Sequence, residues 1–168
     1  MQRSKSMRAW AILPLLLCAC SPSTGDSAAS AQTVAAPQAG ARHPESGLRV
    51  IPLSVTFAGK RHVFTVEVAG SSAEQAKGLM FRTRMGADEG MLFPFDPPRQ
   101  ASFWMKNTVI PLDIIFIGPD RLVSNIAANA TPYSLDPLPS SGTAAAVLEI
   151  NGGRAAELGI VPGAKVAW

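Results

Sequence analysis

Cysteine is almost absent from this sequence. Only Cys18 and Cys20 occur among the 168 residues, and both lie close to the start of the chain. The remainder therefore cannot form the disulfide framework that stabilises many small secreted domains. Histidine occurs only twice, which leaves too few ligands for a zinc site. Nothing in the sequence requires a metal or an organic cofactor, and we predict neither.

A surplus of charge is also missing from most of the chain. The formal net charge is +3, but Arg3, Lys5 and Arg8 all lie within the first eight residues. The 12 remaining basic side chains equal the 12 acidic ones in number. No basic patch is left to neutralise a phosphate backbone, so we predict no binding of nucleic acid.

The start of the chain has the pattern of an export signal. A basic stretch, "MQRSKSMR", precedes the apolar run "AWAILPLLL", which is too short to span a bilayer. "LCAC" follows and resembles a lipobox, with leucine at −3 and alanine at −1 relative to Cys20. We predict a lipoprotein-type signal peptide over residues 1–19 and lipidation of Cys20. An ordinary signal peptide, cleaved near "CAC" or further on, is the alternative.

Such a signal predicts an exported protein of the cell envelope. Cys20 would carry several acyl chains, which anchor a protein stably where a single chain is marginal. Ser21 after the cysteine favours the outer membrane, facing the periplasm, if the cell is Gram-negative. The following segment is rich in Ser, Ala, Gly and Pro and cannot bury enough surface to offset its ordering entropy. We predict a flexible tether over residues 20–47, with no role for His43, and one folded domain over residues 48–168.

The predicted domain consists of short apolar segments separated by turn residues. "LRVIPLSVTFAG" and "RHVFTVEVA" alternate in polarity around the turn "AGKR", as in a β-hairpin. "SSAEQAKGLMF" predicts a short helix with a capping box that begins at Ser71 or Ser72. "NGGRAAELG" predicts a second short helix. We predict a mostly β domain, α+β at the margin, built as a β-sandwich or small barrel of about eight short strands with two short helices.

Three charged side chains lie in or beside strands that are otherwise apolar. Lys106 follows "ASFWM", Asp113 lies in "LDIIFI", and Glu149 lies in "TAAAVLEI". A buried charge has to be paired or to become neutral. We expect the three side chains to meet in a cleft at the strand ends. The alternative is structural: Lys106 pairs with Asp113, and Glu149 accepts backbone N–H groups from a loop.

Several motifs resemble those of one family, in the same order along the chain. They are "GLMFRTRM", "EGMLFPF", "FWMKNTVIPLDIIFI", "PYS", "VLEINGG" and "GIVPGAKV". This order is similar to that of the DUF192 family, also called UPF0127, over about residues 50–168. The resemblance implies a compact, mostly β domain that is frequently exported and has no established biochemical activity. Members often carry "GD" before the last strand, where this chain has Gly163 and Ala164.

We predict that the domain binds a small polar ligand, or an envelope polymer such as a glycan, in a cleft. The candidate residues are charged, polar or aromatic: Arg82, Arg84, Trp104, Lys106, Asn107, Asp113, Tyr133 and Glu149. Two alternatives remain open. One is a hydrolase with Asp113 and Glu149 as a carboxylate pair, and the other is a non-catalytic assembly factor that docks a protein through an exposed apolar patch. The sequence assigns no catalytic residue and favours binding over catalysis.

Overall fold

The computed structural model describes residues 40–168 of the chain. These residues form seven strands and two short helices. The elements are β1 (Val50–Phe57), β2 (Lys60–Val68), α1 (Ser72–Lys77), β3 (Glu89–Phe103), β4 (Leu112–Ile117), β5 (Val123–Ala130), β6 (Leu138–Asn151), α2 (Arg154–Leu158) and β7 (Lys165–Ala167). The predicted signal peptide, Cys20 and most of the predicted tether lie outside the described residues.

All seven strands belong to one sheet, in the order β5-β4-β6-β3-β2-β1-β7. Neighbouring strands are antiparallel except β2 and β3, which run parallel. The sheet curls into a half-barrel, so that its two edges approach each other. The N–H of Val123 donates to the carbonyl of Ala164 at 2.9 Å, and that of Val166 donates to the carbonyl of Arg121 at 2.8 Å. These bonds pair some of the backbone N–H and C=O groups that two free edge strands would leave unpaired.

The mostly β fold and the two short helices are confirmed. The structure has seven strands in a single curled sheet, however, and not about eight strands in a sandwich. One reason is that β3 continues through "DPPR", where the sequence suggests a break between two strands. The pairing of β3 with β6 absorbs these residues as a shift in register between Pro94 and Arg99, as a bulge does.

The sheet is covered by apolar side chains on both faces. All seven strands contribute to one cluster, which contains Leu53, Phe64 and Ile115 and lies inside the curl. A second cluster on the opposite face contains Met91 and Phe116, and it is completed by residues from the connecting loops. Both clusters remove large apolar side chains from water, which is the dominant favourable contribution to folding.

The first helix begins where the sequence predicts. The Ser71 side chain accepts from the backbone N–H of Glu74, and the Glu74 carboxylate accepts from the backbone N–H of Ser71, which completes a capping box. Gly78 follows the last helical residue with a positive φ of 47°. The side-chain amide of Gln75 donates to the backbone carbonyls of Ala69 and Pro94, at 3.2 and 2.9 Å. These bonds hold α1 beside β3.

The structure corrects the C-terminal end of the predicted tether. Residues 40–47 fold back along the domain, with backbone hydrogen bonds from Val50 to Ala41 and from His43 to Leu48, each of 2.8 Å. His43 Nδ1 lies 3.6 Å from a carboxylate oxygen of Glu67 in β2. Polar contacts, and not apolar burial, fix this segment, and its composition therefore gave no sign of the ordering.

Candidate functional site

The carboxyl group of Glu149 lies at the floor of a cleft between α1 and the end of β3. The cleft has a volume of about 420 Å³, within the size range of small-molecule sites. Glu149 is placed there by its neighbours in the sheet, because it lies directly opposite Met91 in β3 and Ile114 in β4. Both neighbours are fully buried. The carboxyl group is thus surrounded on the sheet by apolar side chains.

The Glu149 side chain forms no hydrogen bond within residues 40–168, and the residue is only 5% exposed. Its oxygens are not among the fully buried atoms without a partner in this part of the chain, so they still reach the water in the cleft. Burial raises the pKa of Glu149 from the ordinary value of 4.5 to about 8, and desolvation is the cause. At pH 7 the group is therefore predominantly protonated. A neutral carboxyl group offers one O–H donor and an acceptor oxygen, and here both remain available to a molecule in the cleft. A strongly shifted pKa in a cleft is a recognised mark of a functional site.

The walls of the cleft are apolar and largely aromatic. They are formed by Leu79, Met80, Phe93, Phe95, Phe103 and Trp104. Phe93 and Phe103 pack edge to face with ring centroids 5.1 Å apart, an arrangement that aromatic pairs favour. Trp104 stays half exposed and can therefore stack on a bound molecule.

Three cations surround the mouth of the cleft: Lys77, Arg99 and Lys106. The guanidinium carbon of Arg99 lies 4.1 Å from the ring centroid of Phe95, and Lys106 Nζ lies 5.3 Å from that of Trp104. These are cation–π distances. None of the three forms an ion pair with a carboxylate of the described part of the chain. The mouth consequently carries three cations, and none of them has a carboxylate within ion-pair distance in residues 40–168.

Exposed apolar side chains extend from the cleft over three loops. We call Phe81, Trp104, Tyr133 and Leu135, all exposed, the apolar loop cluster. Backbone hydrogen bonds join the loops: Phe81 donates to Asn107 at 2.8 Å, and Tyr133 donates to Thr108 at 3.2 Å. Phe81 and Tyr133 have positive φ angles of 65° and 62°, which are uncommon for bulky residues. Such conformations concentrate at functional sites.

The structure brings together three of the predicted site residues. Trp104, Lys106 and Glu149 all line the cleft. Asn107 lies beside it, with its side-chain amide 3.7 Å from the sulfur of Met80. Tyr133 is on the adjoining loop and is exposed.

Asp113 is separated from this group. In the sheet it lies opposite Ile150, whereas Glu149 lies opposite Ile114. Because successive side chains of a strand point to opposite faces, the two carboxyl groups project from opposite sides of the sheet. The carboxylate pair of the predicted hydrolase therefore lacks its required geometry across one cleft.

The Asp113 carboxylate has a structural role. One oxygen accepts from the backbone N–H groups of Asn129 and Gly153, at 2.7 and 2.9 Å. The other accepts from the N–H of Ala155 at 2.7 Å. Asp113 fixes the approach to α2, and Lys106 is exposed and not paired with it. Both parts of the structural alternative are therefore wrong, because Lys106 does not pair with Asp113 and because Asp113, and not Glu149, accepts the backbone N–H groups.

The two predicted arginines do not line the cleft. Arg82 Nη2 lies 2.9 Å from Glu67, and Arg82 Nε lies 3.2 Å from Glu45. Arg82 therefore joins the N-terminal segment to β2. Arg84 is exposed outside the cleft lining. The acidic partners of Arg82 could not be foreseen, because Glu45 belongs to a segment whose composition predicts a tether.

Two charged residues of the cleft were missed from the sequence. Lys77 ends α1, and Arg99 follows the turn residues inside β3. Both carry a charge beside an apolar run, as Lys106 does, and this was the available signal. The sequence did not show that α1 packs beside β3. This packing places Lys77 and Arg99 in the same cleft as Glu149.

The comparisons with known proteins give a family and two solved structures. The model of the DUF192 family, described as "Uncharacterized ACR", matches residues 53–168. A protein of unknown function from Novosphingobium aromaticivorans DSM 12444 is 63% identical, with a TM-score of 0.77, over 80% of this chain and 94% of that chain. A "putative transcription regulator" from Sinorhizobium meliloti 1021 is 39% identical, with a TM-score of 0.67, over 69% of this chain and 91% of that chain. No curated protein matches the sequence.

Proposed function

Because this chain belongs to the DUF192 family, and the matched region contains the whole cleft, we propose that the cleft is the functional site of the domain and binds a small ligand. The observation that carries this proposal is the Glu149 carboxyl group, which is buried without a protein partner at the floor of an open cleft. A ligand atom at this floor would supply the missing hydrogen bond.

The energetic argument concerns the free domain. A fully buried polar group without a partner destabilises a fold by about 1–3 kcal/mol. The Glu149 oxygens keep some contact with water, so Glu149 carries part of this penalty. A leucine at position 149 would fill the same apolar surroundings without that penalty. We infer that Glu149 serves binding, because its contribution to the stability of the free domain is unfavourable.

Binding is better supported than catalysis. The cleft lining contains a single carboxyl group and no histidine or cysteine. A general acid and a general base, or a nucleophile and its base, need two titratable groups within reach of the same reacting atoms. The lining offers Glu149 no second carboxyl group, histidine or cysteine, and its two lysines, Lys77 and Lys106, are exposed. We therefore assign Glu149 to recognition of the ligand.

A thermal-shift screen of the full chain tests the proposal. The compounds are envelope saccharides, peptidoglycan fragments, nucleotides and carboxylates. A ligand at 100 times its dissociation constant stabilises the folded state by about 2.7 kcal/mol. We expect this shift to disappear in Trp104→Ala and Glu149→Leu and to persist in Lys60→Met, which changes an exposed lysine outside the cleft lining. A ligand that shifts all variants equally would place the site elsewhere.

The apolar loop cluster supports a second candidate, the assembly factor. Four exposed apolar side chains on loops tied to one another are suited to docking a protein partner. We expect Tyr133→Ser with Leu135→Ser to lose a stoichiometric partner that copurifies with the wild-type protein. Val63→Ser, at an exposed apolar position on β2, is the matched control. Retention of the partner by the double variant would contradict this candidate.

We also propose that the protein is exported and anchored through a lipid on Cys20. The support is the lipobox-like "LCAC" after a basic stretch and a short apolar run. Among residues 40–168, no helix is long and apolar enough to cross a membrane. Growth with an alkyne-bearing fatty acid should label the wild-type protein and leave Cys20→Ser unlabelled in the soluble fraction. An unlabelled wild-type protein in the producing organism would overturn the proposal.

We do not extend the name of the Sinorhizobium relative to this chain. Regulation of transcription by direct binding to DNA requires a basic surface. Beyond Arg3, Lys5 and Arg8, basic and acidic side chains are equal in number here. The three cations at the cleft mouth surround a depression of small-molecule size, and that is the geometry for a compact ligand.

A further inference from the structure

The charges and walls of the cleft restrict the kind of ligand it can take, and this further step rests on the proposed function. We infer that the cleft selects an amphiphilic anion, a small molecule with an apolar, preferably aromatic, body and one oxyanion head group. The body would lie between the aromatic walls, and the head group would lie among Lys77, Arg99 and Lys106 at the mouth.

The sign of the head group follows from the charges around the cleft. Its lining contains three cations and one acid, Glu149. The cations are exposed and have no carboxylate partner in the described part of the chain. The acid is buried at the floor, and its raised pKa leaves it mostly uncharged at neutral pH. An anion is therefore attracted to the mouth, and a cation is repelled there without compensation from the floor.

The apolar body follows from the walls. Phe93, Phe95, Phe103 and Trp104 line the cleft together with the cations and Glu149. Phe93 and Phe95 are buried, whereas Phe103 is partly exposed and Trp104 is exposed. A fully hydrated ion such as acetate or phosphate would leave the exposed surface of Phe103 and Trp104 in contact with water. A ligand with an apolar body removes that surface from water, which contributes roughly 25 cal/mol for each Å² that is buried.

The two ends of the cleft differ in the groups they offer. The mouth supplies ammonium and guanidinium donors that suit an oxyanion, and the floor supplies a neutral carboxyl group. A ligand that also carries a hydroxyl, carbonyl or amide group at the far end of its body can bond to Glu149. Such a molecule matches both the cations at the mouth and the carboxyl group at the floor.

Three probes with one body and different head groups test the inference. They are 4-phenylbutyrate, 4-phenylbutanol and 4-phenylbutylamine, with acetate as the anion that lacks the body. Affinities are measured by calorimetry on the full chain at pH 7. An exposed ion pair typically contributes up to a factor of about five in affinity. With three cations near the head group, we expect the butyrate to bind about tenfold tighter than the alcohol, and the amine and acetate to bind more weakly than both.

Variants and salt separate the effect of charge from that of the walls. Lys106→Met should lower the affinity for the butyrate several-fold and leave that for the alcohol unchanged. Lys60→Met, on the β1–β2 hairpin, should change neither affinity. Raising the salt concentration from 0.05 to 0.5 M should weaken the binding of the butyrate alone, because salt screens exposed charges.

The outcomes distinguish this inference from the proposed function. Equal affinities for the butyrate, the alcohol and the amine would overturn selection of an anion while leaving the cleft as a binding site. Acetate binding as tightly as phenylbutyrate would overturn the need for an apolar body. No binding of phenylbutyrate would overturn the inference outright, and the broader thermal-shift screen would then decide the proposed function separately.

Discussion

Replacing Glu149 by glutamine should change how the stability of the protein depends on pH. Burial raises the pKa of Glu149 to about 8 in the folded state, against an ordinary value of 4.5. Between these two values the folded protein holds a proton that the unfolded chain has released. The free energy of unfolding therefore falls as the pH rises through this window. Glutamine has a similar shape and does not titrate, so the variant lacks this contribution.

The magnitude follows from the difference between the two pKa values. Each unit of difference corresponds to about 1.4 kcal/mol, and the slope applies while the pH lies between the two values. From pH 5 to pH 8, the wild-type protein should lose about 3–4 kcal/mol relative to Glu149→Gln. Other titrating groups act on both proteins, and they cancel when the two unfolding free energies are subtracted.

Urea denaturation at pH 5, 6, 7 and 8, followed by tryptophan fluorescence, measures this difference. The control is Glu157→Gln, at an exposed position on α2, whose stability should follow that of the wild-type protein across the series. Parallel curves for the wild-type protein and Glu149→Gln would refute the reasoning. They would mean that the Glu149 carboxyl group is as well solvated in the folded state as in the unfolded chain.

Three further substitutions test the structural assignments, each by urea denaturation at pH 7. Asp113→Ala leaves three backbone N–H groups without their acceptor and should destabilise the fold by about 3 kcal/mol or more; a loss below 1 kcal/mol would contradict that role. Arg82→Met leaves the buried Glu67 carboxylate without its guanidinium partner, for a loss of about 3–5 kcal/mol, and an unchanged midpoint would show that the pair is dispensable. Gly90→Ala would place its new Cβ atom 2.5 Å from the backbone oxygen of Glu149, which should destabilise by about 2 kcal/mol or more, whereas neutrality would rule out that close approach.

The sequence was sufficient to predict a mostly β fold with two short helices. Apart from Asp113, "LDIIFI" is apolar at every position, which favours a strand buried on both faces, and all six residues of β4 are buried. The capping box at Ser71 and Glu74 located α1. The number of strands was misjudged because two consecutive prolines usually interrupt a strand. In β3 the two prolines fall within a shift of register, and β3 pairs with β6 on both sides of it. This pairing joins residues that are distant in sequence, so the local sequence pattern does not show it.

The candidate site was predicted less completely, for a related reason. Glu149 and Asp113 both stand out as charges in apolar strands, and alternation shows which neighbours share a face with each of them within its own strand. Whether the Asp113 face of β4 and the Glu149 face of β6 lie on the same side of the sheet depends on how these two strands pair. β6 lies between β3 and β4, and this order arises from contacts between residues that are distant in sequence. For this reason the prediction that Asp113 and Glu149 share one cleft was wrong. Lys106 and Trp104 line the same cleft, and they follow β3 directly, so placing them there needs no knowledge of strand order.

The parallel pairing of β2 and β3 has a consequence for how such a domain can change. Two adjacent parallel strands cannot be joined by a tight turn, so the chain must leave the sheet and return across one face. Here residues 69–88 make that return, and α1 within them forms one wall of the cleft. The topology itself therefore requires a crossing segment, and this segment forms one side of the cleft. Because the wall lies outside the sheet ladder, its side chains can diverge between species without disturbing strand register, and relatives with the same architecture can acquire different ligand preferences.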